Sequence, residues 1–416
     1  IMKKNTTLPL LVFCLGLQTA TFSAHASDLS WSQWRGPTRD GMVMDGAPWP
    51  KSIAKKSLKL SWRKEIAKGY PGPVVSENLV FTVETNGKNE IVRAFDRTSG
   101  EQKWENQWPG SMSVPFFAWK NGSWVRSTPA YDGKNLYVGG MRDFLVCLDA
   151  ESGKKKWEVD FMKRYKAALP AFGFVCSPMI EGDHLYVQAG AGFVKLDKET
   201  GKSVWRALND KGGMYGSAFS SPTMAKLGGI EQVVVLTRTD MTGVEPENGK
   251  VLWKKPIKAF RGMNILTPTI FGNSVFTSSY GGKSLLFDLA KDADGFSIKQ
   301  KWENKQEGYM SGPIVIGDFC YIHLRKQRMT CLDMKSGETK WISSESFGKY
   351  MSMVSNGKEI LALDEDGTLY LIEPDSEKLF IKEKRTISKS PSWAHLAVAG
   401  NQLFVRELEA IACYEW

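Results

Sequence analysis

The sequence contains little cysteine and histidine: its 416 residues include 6 Cys and 4 His. None of them has the spacing of a zinc site, and no two cysteines are adjacent. Five cysteines follow residue 26, and this odd number argues against a complete disulfide framework, although a Cys320–Cys331 bond across one hairpin stays open. No G-x-S-x-G nucleophile motif occurs. The sequence therefore indicates neither a zinc enzyme nor a disulfide-stapled domain, and no metal ligands are predicted.

Long apolar runs are also scarce, and the clearest one lies near the N terminus. Lys3 and Lys4 precede an uncharged run from Leu8 to Leu17, and Ala24-His25-Ala26 provides a cleavage site. This pattern predicts a signal peptide over residues 1–26, cut near Ala26. No later stretch approaches the roughly 18 apolar residues of a membrane-spanning helix. We therefore expect a periplasmic or secreted protein without a transmembrane segment.

Acidic residues are fewer than basic ones, 45 Asp and Glu against 55 Lys and Arg, for a net charge of +10. Such a charge is compatible with nucleic acid, membranes or acidic polymers as partners. Export argues against nucleic acid. The remaining expectation is a monomer whose partner is an unknown protein or glycan of the cell envelope.

Tryptophan is abundant, with 15 residues, and it recurs in a motif. The motif has an acidic residue, a glycine four positions later and a tryptophan eight positions later. A fifth, altered copy runs from Glu245 to Trp253, and a degenerate copy ends at Trp302. The four regular copies are Asp96, Gly100 and Trp104; Asp149, Gly153 and Trp157; Asp197, Gly201 and Trp205; and Asp333, Gly337 and Trp341. So many copies in one register predict a repeat protein.

Each copy predicts a β-hairpin in which the acid caps the turn, the glycine takes a positive φ and the tryptophan packs between sheets. A second hairpin precedes each copy, so a unit has four strands and recurs every 40 to 50 residues, as propeller blades do. The fold class is therefore all-β: an eight-bladed β-propeller of four-stranded antiparallel blades spanning residues 57–416. The last blade lacks a strand, and the segment from Leu58 to Ile66 with Trp62 is predicted to supply it. Residues 27–56 form an N-terminal arm.

The repeated motif resembles the tryptophan-docking motif of the pyrroloquinoline quinone (PQQ) dehydrogenase superfamily. The segment from Trp31 to Gly41, WSQWRGPTRDG, is similar to the opening of exported PQQ-like repeat proteins common in planctomycetes. Enzymes of the superfamily use PQQ with calcium or a lanthanide, and many have the adjacent Cys-Cys pair that this sequence lacks. A non-catalytic relative, the outer-membrane-protein assembly propeller, is similar in blade number and closer in length.

Candidate binding residues lie in the segments that enter the first strand of each blade, because these segments surround one mouth of the central channel. They combine aromatic rings with a few polar groups and could bind a planar, sugar-like or peptide ligand. Packing between blades is the competing interpretation for about half of them. The candidates are Tyr70, Trp124, Arg126, Phe172, Tyr215, Asn264, Tyr309, Tyr350, Trp393 and His395.

Two functions follow from these observations. The first is an exported, non-catalytic PQQ-like propeller that binds a protein or glycan through one mouth, with no catalytic residues and no cofactor. The alternative is a quinoprotein alcohol or sugar dehydrogenase that uses PQQ and calcium. A shared propeller does not by itself decide between them.

Overall fold

The computed structural model describes residues 29–212, 216 and 218–416. The predicted signal peptide and the candidate Tyr215 lie outside the described residues. The described strands form eight four-stranded antiparallel sheets, each in the order of a propeller blade. The predicted all-β, eight-bladed propeller is confirmed.

Blades 1 to 4 each use four consecutive strands, counted from the channel outward. The bounds are β2 (Val74–Val75), β3 (Leu79–Asn86), β4 (Asn89–Asp96), β5 (Gln102–Pro109); β6 (Ala130–Tyr131), β7 (Asn135–Gly140), β8 (Phe144–Asp149), β9 (Lys155–Asp160); β10 (Met179–Glu181), β11 (His184–Gln188), β12 (Phe193–Asp197), β13 (Ser203–Ala207); and β14 (Thr223–Leu227), β15 (Ile230–Leu236), β16 (Asp240–Val244), β17 (Val251–Pro256).

Blades 5 to 7 repeat this order, and blade 8 combines the two ends of the propeller. The bounds are β18 (Thr269–Phe271), β19 (Ser274–Ser278), β20 (Ser284–Asp292), β21 (Gly295–Asn304); β22 (Ile314–Ile316), β23 (Phe319–His323), β24 (Met329–Asp333), β25 (Thr339–Ile342); β26 (Met351–Ser355), β27 (Ile360–Asp364), β28 (Thr368–Glu373), β29 (Phe380–Thr386); and β30 (Ala397–Ala399), β31 (Gln402–Arg406), β32 (Ala410–Glu415), β1 (Lys59–Glu65).

Short helices lie in the segments between blades. They are a 3-10 helix at Phe116–Asn121, α1 at Phe161–Tyr165 and a 3-10 turn at Phe260–Gly262. None of the helices in the described part of the chain has the length and apolar character needed to cross a bilayer.

Strand β1 closes the ring. It pairs antiparallel with β32, placing Trp62 opposite Cys413 and Glu65 opposite Ala410. Strand β1 is the outermost strand of blade 8 and covers the edge of β32, and exposed strand edges are the sites at which sheets associate wrongly. The predicted origin of the missing strand is therefore confirmed.

The repeated motif forms the contact between neighbouring blades. Asp96 caps its turn by accepting hydrogen bonds from the backbone N–H groups of Thr98 and Ser99 at 3.1 and 2.9 Å. Trp104 packs over Gly153 of the next blade and donates its indole N–H to the carbonyl of Ala150 at 3.0 Å. The same donation to the next blade's turn recurs from Trp62, Trp157, Trp205, Trp302 and Trp341.

Trp253 departs from this pattern. Its indole N–H bonds to Gln232 within its own blade. The following blade has a long hairpin between β20 and β21, which turns around residues 293–294 and has no docking glycine at the equivalent place. The altered copy of the motif thus corresponds to an altered contact between blades 4 and 5.

The propeller has two different faces. The docking face carries the turns between first and second strands and the motif turns between third and fourth strands. The connection face carries the turns between second and third strands and the segments that join one blade to the next. The described candidate residues predicted from the sequence belong to the connection face.

Candidate functional site

The N-terminal arm occupies the channel from the docking face. Trp31 forms an antiparallel bridge with Val75, which belongs to the innermost strand of blade 1. The two backbone hydrogen bonds of this bridge are 2.8 and 2.9 Å long. The carbonyl of Ser32 accepts from the backbone N–H of Tyr131 in blade 2, and Val43 N–H donates to Ser355 in blade 7, both at 2.8 Å. The arm is therefore attached to inner strands on several sides of the ring.

Three arm side chains cross the channel. The guanidinium carbons of Arg35 and Arg39 lie over the Trp34 ring, 5.6 and 5.5 Å from its centroid, a favourable cation–π geometry. Arg39 donates to the carbonyls of Ser177 and Pro178 in blade 3 at 3.2 and 2.8 Å, and Arg35 donates to the carbonyl of Pro313 in blade 6. These contacts close the channel below the connection face.

Both arm arginines are buried, and burial lowers the pKa of each to about 10. A group with that pKa still carries its charge at neutral pH. Their backbone carbonyl partners disperse the positive charge without neutralising it. The floor of the channel is therefore positively charged.

Above this floor, aromatic candidates from neighbouring blades meet. The Tyr70 and Trp393 rings stack with centroids 5.0 Å apart, and Trp124 contacts Tyr70 edge-on at 5.5 Å. Trp393 also stacks with Tyr350 at 6.3 Å, and Tyr350 meets His395 at 5.9 Å. The structure thus brings five sequence-predicted residues into one cluster, which we call the mouth cluster.

Charged and polar groups border the mouth cluster. Arg126 lies over the Tyr70 ring at 5.5 Å, and burial lowers its pKa. The Tyr350 hydroxyl is 3.2 Å from Nε2 of His395, whose ring also meets Trp34 of the arm edge-on at 5.2 Å. Burial and, second, the charge of Arg35 lower the pKa of His395 to about 3, so this imidazole is neutral at physiological pH.

The remaining described candidates contact residues outside this cluster, although Tyr309 lies close enough to Arg126 for the two to interact electrostatically. Tyr309 contacts Tyr280 at 5.0 Å, and Phe172 packs between Phe117 and Phe219 at 6.3 and 5.5 Å. Asn264 is buried, and its amide donates to the carbonyls of Arg238 and Ile257 at 3.0 and 3.2 Å. Those bonds support the connection between blades 4 and 5.

Two sets of residues were not among the sequence-predicted candidates. Trp34, Arg35 and Arg39 reach the channel from an arm that precedes the repeats. Phe116, Phe117 and Trp119 are 85, 53 and 67% exposed on the 3-10 helix between blades 1 and 2. Phe116, Phe117 and Trp119 could have been predicted from the sequence, because the segment that contains them, residues 110–129, is unusually long and rich in aromatic residues.

One cavity and a search for clustered metal-ligating side chains bear on whether the described residues could hold a cofactor. A cavity of about 20 Å³ between blades 3 and 4, lined in part by Asp143, Gln188 and Arg238, has the size of one or two water molecules. Within residues 29–212, 216 and 218–416, no group of three or more His, Cys, Asp or Glu side chains could hold a metal ion. Neither observation identifies a place for PQQ with a calcium ion in the described part of the chain.

Comparisons with known proteins agree with this architecture. The outer membrane protein assembly factor BamB of Moranella endobia is 23% identical over 336 residues, covering 75% of this chain and 77% of that protein. The BamB of Yersinia pestis is 19% identical over 381 residues, covering 88% and 90%.

Solved structures show the same fold. The crystal structure of BamB from Moraxella catarrhalis matches with a TM-score of 0.60 and 16% identity, covering 86% of this chain and 98% of that one. A europium-containing methanol dehydrogenase matches with a TM-score of 0.53 and 10% identity, covering 94% of this chain and 99% of that one.

A family model described as outer membrane protein assembly factor BamB matches residues 88–343, more than half of the chain and most of its blades. The chain is a PQQ-like eight-bladed propeller, and it belongs to the family described as outer membrane protein assembly factor BamB.

Proposed function

We propose that this chain is an exported, non-catalytic propeller that binds a protein of the cell envelope through the mouth cluster on its connection face. The relatives in its family are named outer membrane protein assembly factors, and that name supports a role in binding other proteins. We therefore infer for this chain the general role of protein binding, with a partner that is also located in the cell envelope.

The single observation that carries the proposal is the mouth cluster itself. Tyr70, Trp124 and Trp393 combine large apolar rings with the Arg126 guanidinium, and residues of these types dominate the binding energy of protein interfaces. The arm closes the channel beneath them, so a ligand meets a shallow aromatic surface. Shallow surfaces of this composition suit a protein segment better than a small molecule.

The alternative, a quinoprotein dehydrogenase, is supported by the fold it shares with the methanol dehydrogenase. Against it stand the arm side chains that fill the channel and the lack of a clustered metal-ligand set among the described residues. A fold alone does not transfer a reaction. We therefore favour the binding role.

The test uses residues 27–416 as bait in an envelope extract from the source cells. A mouth variant, Trp124→Ala with Arg126→Ala and Trp393→Ala, is compared with a docking-face variant, Glu151→Ala with Lys154→Ala and Glu199→Ala. The proposal predicts that the mouth variant alone loses a specific protein partner while it keeps its melting temperature. Equal capture by both variants contradicts it.

The same preparation tests the alternative directly. With added PQQ and calcium, the proposal predicts no change in the quinone spectrum and no reduction of an electron-accepting dye by alcohols or sugars. Saturable quinone binding with dye reduction would establish the dehydrogenase instead.

A further inference from the structure

The connection face is strongly basic. Its turns and connecting segments expose fourteen Lys and Arg side chains, leaving aside Arg164, which bonds to Gly201 of the docking face. Representative members, spread around the ring, are Lys120, Lys211, Lys258, Arg261, Arg325 and Lys349. The exposed acids of the same described segments are Asp210, Glu345, Asp366 and Glu409. Positive charge therefore dominates this face.

The docking face shows the opposite balance. Its described turns expose seven Lys side chains and nine Asp and Glu side chains. The positive charge of the chain is therefore concentrated on one side of the ring. An anionic partner or surface would attract the propeller with this face toward it.

Exposed aromatic side chains project from the same basic face. Phe116, Phe117 and Trp119 occupy the connection between blades 1 and 2, and Phe260, 50% exposed, lies between blades 4 and 5. Phe117 contacts Phe172, which contacts Phe219, and the Arg238 guanidinium lies over Phe219 at 5.2 Å. Arg238 in turn donates to the carbonyl of Arg261. An aromatic and cationic ridge thus crosses the connections of blades 1 to 5.

We propose that the connection face docks on an anionic phospholipid surface, with the Phe116–Trp119 and Phe260 loops inserted among the headgroups. Aromatic rings flanked by Lys and Arg are the side chains that favour the membrane interface, and each basic residue near an anionic surface adds to binding. This inference goes beyond the proposed protein binding. Because the mouth cluster lies on the same face, a docked propeller would turn that cluster toward the membrane, so its protein partner would have to lie at the bilayer surface.

The shape of the ridge favours a lipid surface over an acidic protein. Protein hot spots lie in packed pockets. Here the most exposed rings stand at the tips of separate loops, and the basic side chains are distributed around the whole ring. A flat, extended and fluid anionic surface can contact the exposed rings and the distributed basic side chains at the same time.

The experiment measures sedimentation of residues 27–416 with vesicles. One set contains phosphatidylcholine alone, and the other contains phosphatidylcholine with about a third phosphatidylglycerol. We expect binding to the anionic vesicles only, with a large loss when salt is raised to several hundred millimolar, because salt screens surface charge.

Matched variants locate the surface. Lys120→Glu with Lys211→Glu and Lys258→Glu changes the connection face, and Lys154→Glu with Lys202→Glu and Lys250→Glu changes the docking face by the same net charge. We expect the first to weaken vesicle binding by at least about ten-fold and the second to weaken it far less.

A second pair of variants tests the rings. Phe116→Ser with Phe117→Ser and Trp119→Ser is compared with Val204→Ser, Ile342→Ser and Phe380→Ser, which are exposed on outer strands. We expect loss of binding in the first variant only, at unchanged melting temperature. Equal binding to both vesicle types, or equal loss in paired variants, overturns the lipid proposal.

An acidic protein is the competing occupant. If wild-type protein ignores anionic vesicles while the connection-face charge reversal abolishes capture of the protein partner, the lipid proposal fails and the proposed protein binding stands. If vesicles bind and no protein partner is captured, the lipid proposal stands and the proposed protein binding fails.

Discussion

The indole N–H of Trp62 donates a 2.9 Å hydrogen bond to the carbonyl of Arg97, which joins the closing strand of blade 8 to blade 1. The Trp62 ring also packs against Gly100, where an added Cβ would lie 2.6 Å from the indole. The last contact of the ring is thus the same contact that joins blade 1 to blade 2. Ring closure therefore depends on Trp62 in the closing strand and on the motif turn of blade 1 that contains Arg97 and Gly100.

Gly100→Ala should therefore destabilise the propeller. The substitution places a methyl group against Trp62 and also forces a φ of +68° on a non-glycine residue. We expect a loss of about 2–4 kcal/mol in the free energy of unfolding, measured with urea. Gly87→Ala is the control, because Gly87 has a φ of +59° with nothing within 4 Å of its Cβ position. Equal losses would show that the indole contact is unimportant.

The arm should resist proteolysis as long as Trp34 holds it in the channel. Arg35 and Arg39 are 3 and 7% exposed, so trypsin should not cut after either residue in the native protein. Trp34→Ala removes the ring beneath both guanidinium groups and should make these sites cleavable. Trp119→Ala, which changes an exposed ring, is the control. Cleavage after Arg35 or Arg39 in the unchanged protein would contradict the closed channel.

Stability should fall as the pH rises from about 5 to 8 because of Glu90. Its carboxyl is fully buried, accepts from Met141 N–H at 2.7 Å and from the Trp108 indole at 2.9 Å, and burial raises its pKa to about 7. The folded chain therefore binds more protons than the unfolded chain between pH 4.5 and 7. The free energy of unfolding then decreases with rising pH, by up to about 3 kcal/mol for one such group.

Glu90→Gln should reduce this slope, measured as the urea midpoint at several pH values. Glu151→Gln, which changes an exposed motif-turn carboxyl, should leave the slope unchanged. Asp143 adds a parallel contribution, because burial also raises its pKa to about 7 at the boundary between blades 2 and 3. A pH dependence that is identical in wild type and Glu90→Gln would show that Glu90 titrates normally.

Reducing agents should not change the melting temperature of residues 27–416. All five cysteines in the described residues, Cys320 and Cys331 among them, are buried and unpaired. Burial raises the pKa of the Cys147 thiol to about 12, which leaves almost no reactive thiolate. A thiol reagent should therefore label the chain only after unfolding. A lower melting temperature with reductant would indicate a disulfide.

The repeat could be predicted from the sequence because each copy combines turn chemistry and packing. Asp149, Gly153 and Trp157 lie within nine residues, and the same local constraints return in every regular blade. The path of the arm could not be predicted in this way. Trp34, Arg35 and Arg39 find their partners in blades 3, 6 and 8, and contacts so distant in sequence leave no periodic pattern. Exposure of Phe116 and Trp119 likewise depends on how the surrounding loops pack.

Photo-crosslinking in cells tests the proposed mouth most directly. A photoreactive phenylalanine replaces Trp124 or Trp393 in the mouth cluster on the connection face, and Lys154 or Lys250 on the docking face. We expect irradiation to join an envelope protein to the chain from the connection-face positions and from neither docking-face position. Crosslinks from the docking face alone, or from no position, would contradict it.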